Sequence, residues 1–124
     1  MRFGKYELGE RIARGGMAEV FAARRYGAEG FVKPVAIKRI LPRFTEDPEF
    51  VELFIAEARL AARLQHANIV QIHDFDAQDG AYYIAMERVY GRDLRRVLRD
   101  EKAAGKRLPL ELGLHIAVEV LKGL

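Results

Sequence analysis

Apolar and polar positions alternate along the first forty residues and then change to a helical spacing. Residues 5–13 and 18–26 read as two strands around a glycine turn, the second opening Ala18-Glu19-Val20-Phe21-Ala22-Ala23. Residues 27–34 are rich in turn formers and predict a loop. Residues 34–40 predict a third strand. Side chains alternate across a sheet, so Val35, Ile37 and Arg39 share one face while Ala36, Lys38 and Ile40 share the other. Thr45-Glu46-Asp47-Pro48 is a helix start, with Asp47 at the N-cap and Pro48 at the first helical position. That helix is expected to run to about Leu64, with Phe50, Phe54, Glu57, Ala61 and Leu64 forming one stripe. Ile69 to Phe75 and Ala81 to Arg88 predict a hairpin joined by Asp79-Gly80. A short helix follows over about Asp93 to Lys102, and Gly105 and Pro109 mark a loop. A last helix begins near Leu110, and its apolar face of Leu112, Ile116 and Val120 has nothing downstream to pack against. That unpartnered face predicts a piece of a longer chain, with a natural short protein as the alternative.

Bulk properties narrow the classes. The chain has 124 residues, enough for one small domain or part of a larger one, and half of them are apolar, which suffices for a packed core. Net charge is +3, with 18 acidic residues interspersed among 21 basic ones, so no block of like charge reads as a nucleic-acid tail. The absence of cysteine excludes disulfides, thiolate metal sites and cysteine nucleophiles, and fits a reducing cytoplasm. Met1 to Tyr6 carries no signal-peptide apolar core, and no stretch approaches the ~18 apolar residues of a membrane span. A cytoplasmic protein is expected, with a membrane anchor in a later segment of the full-length protein as the alternative.

Two charges stand on otherwise apolar faces. Lys38 shares its strand face with Ala36 and Ile40; alone it would read as a strand-end lysine whose stem lies on apolar surface. Glu57 is the only charge on the helix stripe, and alone it would sit at the stripe's edge and reach solvent. A buried carboxylate needs a partner. Together the two predict an ion pair between strand and helix that fixes the direction of the lysine. Gly15 and Gly16 let a backbone fold tightly and approach a ligand, and successive N–H groups in such a turn can cradle phosphate oxygens. An ordinary hairpin turn is the bland alternative. No Gly-Lys-Ser/Thr follows, and the next element reads as a strand, which excludes a P-loop and disfavours a dinucleotide fold.

In this order the glycine loop, the strand Val35-Ala36-Ile37-Lys38 and the helix glutamate Glu57 resemble the N-terminal lobe of the protein kinases. Gly15-Gly16-Met17-Ala18-Glu19-Val20 is similar to the bacterial serine/threonine kinases of eukaryotic-like type. Leu64-Gln65-His66-Ala67-Asn68-Ile69-Val70 resembles the family's link after helix C, and Tyr82 to Gly91 resembles its fifth strand and hinge. The resemblance implies an α+β fold: a five-stranded antiparallel sheet with one long helix C, residues 1–90 as the ATP-binding N-lobe, and residues 91–124 as the hinge exit and first helices of an incomplete C-lobe.

It also implies roles. Lys38 would bind the α- and β-phosphates of ATP and Glu57 would pair with it. Ala13, Arg14, Gly15, Gly16, Met17, Ala18, Glu19 and Val20 would form the lid over the phosphates. Ile12, Val20 and Ala36 would cover the adenine, and Met86 would be the gatekeeper. Backbone groups of Glu87 and Val89 would bond the adenine edge, and Asp93 would reach the ribose. The family pattern G-x-G-x-x-G-x-V stands here as Ala13-x-Gly15-x-x-Ala18-x-Val20, with only the middle glycine kept and Gly16 added.

No His-Arg-Asp, Asp-Phe-Gly or activation segment occurs in these residues, so the Mg2+ ligands, the catalytic base and the peptide-docking surface are expected outside them. Phosphoryl transfer to a protein serine or threonine is expected of the complete enzyme and inactivity of this chain alone; the alternative is a non-catalytic, pseudokinase-like interaction module. A generic basic nucleic-acid-binding domain is a third, weaker rival.

The remaining candidates read as structure. His66, His73 and His115 are scattered over a loop, a strand and a helix, and no metal site is expected. Tyr82, Tyr83 and Tyr90 suit sheet and hinge packing better than base stacking. Arg88, Arg92, Arg95, Arg96 and Arg99 cluster around the short helix, either as a solvated face or as a docking surface for an acidic peptide.

Overall fold

The computed structural model describes residues 2–78 and 80–124, leaving aside the side chains of Arg2 and Phe3. Six strands, β1 (Arg2–Phe3), β2 (Tyr6–Arg14), β3 (Ala18–Tyr26), β4 (Val32–Ile40), β5 (Ile72–Gln78) and β6 (Ala81–Glu87), make one sheet in the order β1-β2-β3-β4-β6-β5. Every pairing is antiparallel. Helices α1 (Pro48–Ala62), α2 (Leu94–Ala103) and α3 (Leu110–Gly123) complete the fold. The expected five strands are all present. A sixth, β1, has only two residues and folds back on β2 through Gly4 at φ +63°.

The elements form two compact units. One holds the chain through Gln65 together with Val70–Arg88, and the other holds His66–Ile69 with Val89–Leu124. The first unit is the sheet with α1. Asp47 caps α1 by accepting from the Glu49 N–H at 3.1 Å, and Pro48 occupies the first turn. Phe54 and Ala58 are the buried centre of the helix face, flanked by Phe50 and Val51, and they pack on Ala18, Ile40 and Ile84. Burying the Phe54 side chain contributes roughly 1.5–3 kcal/mol.

The opposite sheet face carries a second cluster of Tyr6, Ala23, Val35, Ile37, Tyr83 and Ala85. There the Tyr6 hydroxyl donates to Asp74 Oδ2 at 3.4 Å, and the ring meets Tyr83 edge-on at 6.0 Å. Burial first, and then the Asp74 charge, push the Tyr6 phenol up to about 12.

Several boundaries differ from expectation. The strand expected over 69–75 lies at Ile72–Gln78. Residues 67–69 turn instead, with the Ile69 N–H donating to the His66 carbonyl at 3.1 Å. Gln78 pairs with Ala81, so two residues close the hairpin; Gly80 takes φ +79°, and Asp79 lies outside the described residues. β4 starts at Val32 and runs through Pro34, which sits one residue past the last β4–β6 pair, Val35 with Glu87, where β4 has no β6 partner to lose. Helix α1 ends at Ala62 rather than Leu64.

In the second unit, Asp93 caps α2 by accepting from the Arg96 N–H at 2.8 Å. The Asn68 amide donates to the Glu119 carbonyl and to its Oε2, both at 2.8 Å. That amide bond first, and Lys122 next, hold the Glu119 carboxyl below the usual range. Gly123 makes room for the strap formed by His66–Ile69: a Cβ there would stand 3.3 Å from the Asn68 carbonyl.

Candidate functional site

Lys38 lies on β4 between Val20 of β3 and Ile84 of β6, its direct cross-strand partners. Strand alternation places it on the face that receives α1, beside Ala36 and Ile40. Glu57 stands one turn after Phe54 on α1. Its Oε1 accepts from Lys38 Nζ at 2.6 Å, with the amine side chain 25% exposed and the carboxylate side chain 53% exposed. The helix stripe is therefore centred on Phe54 and Ala58, and Glu57 occupies its edge rather than its middle. From that edge it still reaches the lysine.

The β2–β3 turn closes over this pair. The Gly15 N–H donates to the Ala18 carbonyl at 2.8 Å, and the Met17 carbonyl accepts from the Leu41 N–H at 2.7 Å. Neither Gly15 nor Gly16 takes a positive φ, so this conformation does not itself demand glycine. What the glycines leave is space: a Cβ on Gly16 would meet nothing within 4 Å. A cavity of about 350 Å³ opens beneath the turn. Gly15, Gly16, Met17, Ala18 and Val20 form its upper wall, and Lys38, Glu57 and Phe54 its floor.

This cavity gathers much of the expected site but not all of it. Ala13 and Arg14 pair with Val20 and Glu19 at the base of the turn, and Ile12 is exposed on β2. Glu19 points away. Its carboxylate lies on the opposite sheet face, bonded to Arg39 at 3.0 Å and within 3.6 Å of Arg11, so it offers a ligand only its backbone. Ala36 pairs directly with Met86, so the two share the face of Lys38. The Glu87 N–H is spent on the Gln71 carbonyl at 2.9 Å, so that donor is not open to a ligand. Val89 is exposed and Asp93 is an N-cap, both within the second unit.

Phe54, one position of the helix stripe, also borders this cavity. Its place on the cavity floor follows from its position three residues before Glu57 on the same helix face, a spacing visible in the sequence.

The donor set has a definite chemistry. An ammonium is aimed by a carboxylate into a partly apolar cleft, under a turn with no side chains at its tip. Such a cleft fits a polyphosphate ester with a flat apolar base. Among the described residues, no group of three or more His, Cys, Asp or Glu side chains is arranged to hold a metal ion.

Comparison with known proteins agrees with this geometry. The sequence model of the protein kinase domain matches residues 6–124. The chain is 45% identical over 122 residues to the tyrosine-protein kinase MasK of Myxococcus xanthus (strain DK1622), covering 98% of this chain and 19% of that protein. It is 43% identical over 99 residues to the serine/threonine-protein kinase PknH of Mycobacterium tuberculosis (strain ATCC 25618 / H37Rv), covering 78% of this chain and 15% of that protein. The crystal structure of the M. tuberculosis PknI kinase domain superposes with a TM-score of 0.76 at 31% identity, over 97% of this chain and 46% of that one. The chain thus spans under a fifth of these curated relatives and under half of that solved kinase domain.

Proposed function

Because the chain belongs to the protein kinase family, we propose that its first unit binds the nucleotide in phosphoryl transfer from Mg-ATP to a protein hydroxyl. The observation that carries this is the Lys38–Glu57 contact of 2.6 Å in the cavity beneath the glycine turn. In this reading Lys38 holds the α- and β-phosphates, and Glu57 fixes the direction of the amine. The turn from Ala13 to Val20 covers the phosphates with backbone N–H groups. Ile12, Val20 and Ala36 enclose the adenine, Met86 limits the depth of its pocket, and the Glu87 carbonyl meets its edge. Val89 at the adenine edge and Asp93 at the ribose are assigned by family resemblance alone. The chain's own residues bind and orient; the metal ligands and the base belong to motifs absent from these 124 residues. We therefore expect this chain alone to transfer no phosphoryl group, and we place its work in the cytoplasm, where ATP is available.

The acceptor is assigned to serine and threonine on the similarity to PknH. Tyrosine is the second reading, favoured by the 45% identity to MasK. Phosphoamino-acid analysis of a chain carrying the downstream motifs separates the two. ATP titration followed by NMR tests the nucleotide site itself. The Gly15, Gly16 and Val20 amides should shift with a dissociation constant of about 1 mM or weaker, near −4 kcal/mol. Lys38→Met should abolish those shifts while the remaining spectrum is kept. Unchanged shifts in that variant would refute the assignment.

A further inference from the structure

The charge of this chain is unevenly placed. Residues 1–88 hold thirteen basic and thirteen acidic side chains, and residues 89–124 hold eight and five, so the whole surplus of +3 lies in the later segment. Helix α2 concentrates it. Arg95 and Arg99 are four residues apart and Arg96 and Arg99 three, so the three side chains are neighbours on the helix surface. All three line one open cavity of about 400 Å³ together with Asp93 and Asp100.

The two carboxylates in that wall are already engaged. Asp93 accepts from the Arg96 backbone N–H, and Asp100 pairs with the Arg92 guanidinium. Asp100 is the helical i+4 partner that would ordinarily neutralise Arg96, yet it is turned to Arg92. Among the described residues, no carboxylate stands within ion-pair distance of Arg95, Arg96 or Arg99. Three like charges on neighbouring positions cost helix stability.

We propose that Arg95, Arg96 and Arg99 form a docking site for a phosphorylated segment of a protein, with the phosphoryl group seated in the α2 cavity. A phosphate monoester brings close to two negative charges and three acceptor oxygens, which guanidinium forks meet in pairs. The concave wall favours a single compact anion. The site does not depend on the nucleotide assignment, because none of its residues lines the cavity beneath the glycine turn.

The test is fluorescence anisotropy on this chain with a fluorescein-labelled peptide bearing one phosphoserine, beside its unphosphorylated twin. The phosphopeptide should bind about tenfold or more tighter than the twin, the scale of one or two charge-assisted contacts. The triple variant R95Q/R96Q/R99Q should lose that preference, with Arg107→Gln as a control that keeps it. A thermal melt verifies folding of the triple variant; if it does not fold, Arg99→Gln alone should weaken phosphopeptide binding by about threefold or more. Equal binding of both peptides, or full phosphopeptide binding by folded variants, overturns the proposal. So does inorganic phosphate that binds as tightly as the phosphopeptide, which would mark a free-anion pocket. Arginine-dependent binding to phosphatidylserine vesicles without phosphopeptide binding overturns it in favour of a membrane surface.

Discussion

Removing the Glu57 carboxylate should scarcely alter the stability of the first unit. Lys38 Nζ and Glu57 Oε1 are 2.6 Å apart. At that separation the Coulomb attraction is about 6 kcal/mol for an effective dielectric of 20 and about 1.6 kcal/mol in bulk water. The carboxylate is 53% exposed and the amine 25%, so solvent screens the pair and rehydrates whichever partner remains. Exposed pairs of this kind retain about 0.2–1 kcal/mol. Glu57→Gln and Lys38→Met are each expected to cost less than about 1 kcal/mol, and the double variant no more than their sum. Phe54→Ala, three residues away and wholly buried, should cost about 3–5 kcal/mol. Urea titrations of the five proteins, followed by far-UV circular dichroism, measure all of these from the shift in midpoint. A loss of about 3 kcal/mol or more for Glu57→Gln would make the pair a structural anchor and remove the argument that it exists to aim the amine.

Two further outcomes depend on pH. Burial first, then Lys33, lowers the pKa of His73 from 6.5, with Arg25 acting the same way and Glu87 opposing. Below pH 6.5 the unfolded chain binds a proton that the folded chain resists, so stability held above that pH should fall as the solution is acidified; His73→Gln should flatten this part of a urea-midpoint profile, and an unchanged slope would dismiss His73 as its source. The Tyr6 phenol, raised to about 12, acts at the other end: stability is full below pH 10 and declines as pH rises through 10 to 12. Tyr6→Phe should remove that decline and cost about 1 kcal/mol at neutral pH through the lost bond to Asp74, both read from the same titrations.

What the sequence made legible was local and periodic. Strand alternation put Lys38 on its face, the Asp47-Pro48 pair marked the start of α1, and the order of motifs pointed to the family. What it concealed depended on partners distant in the chain. The run Ile69-Val70-Gln71 looks like strand, but the turn at His66 and the two-residue hairpin at Gly80 move the strand three residues on. Asp74 and Asp76 sit inside that strand against propensity; Asp74 is held there by Tyr6 and Lys5 from the far end of the chain. Glu19 sits in the glycine-turn motif; alternation along β3 already puts it on the face opposite Val20, and only its bond to Arg39 depended on a distant strand. Periodicity placed Glu57 on a stripe, whereas its exposure at the stripe's edge depends on how α1 rolls on the sheet.

The strap at Asn68 bears on how this protein can be cut and recombined. Because His66–Ile69 belongs with Val89–Leu124, the backbone passes from one unit to the other three times, and no single break separates them. A chimera joined only after Arg88 would set one parent's Asn68 against the other parent's α3, where an amide must find Glu119 and a missing Cβ at position 123 must leave room. Grafts that carry residues 66–69 along with 89–124 keep that fit intact, so four residues in the middle of the chain inherit with its end.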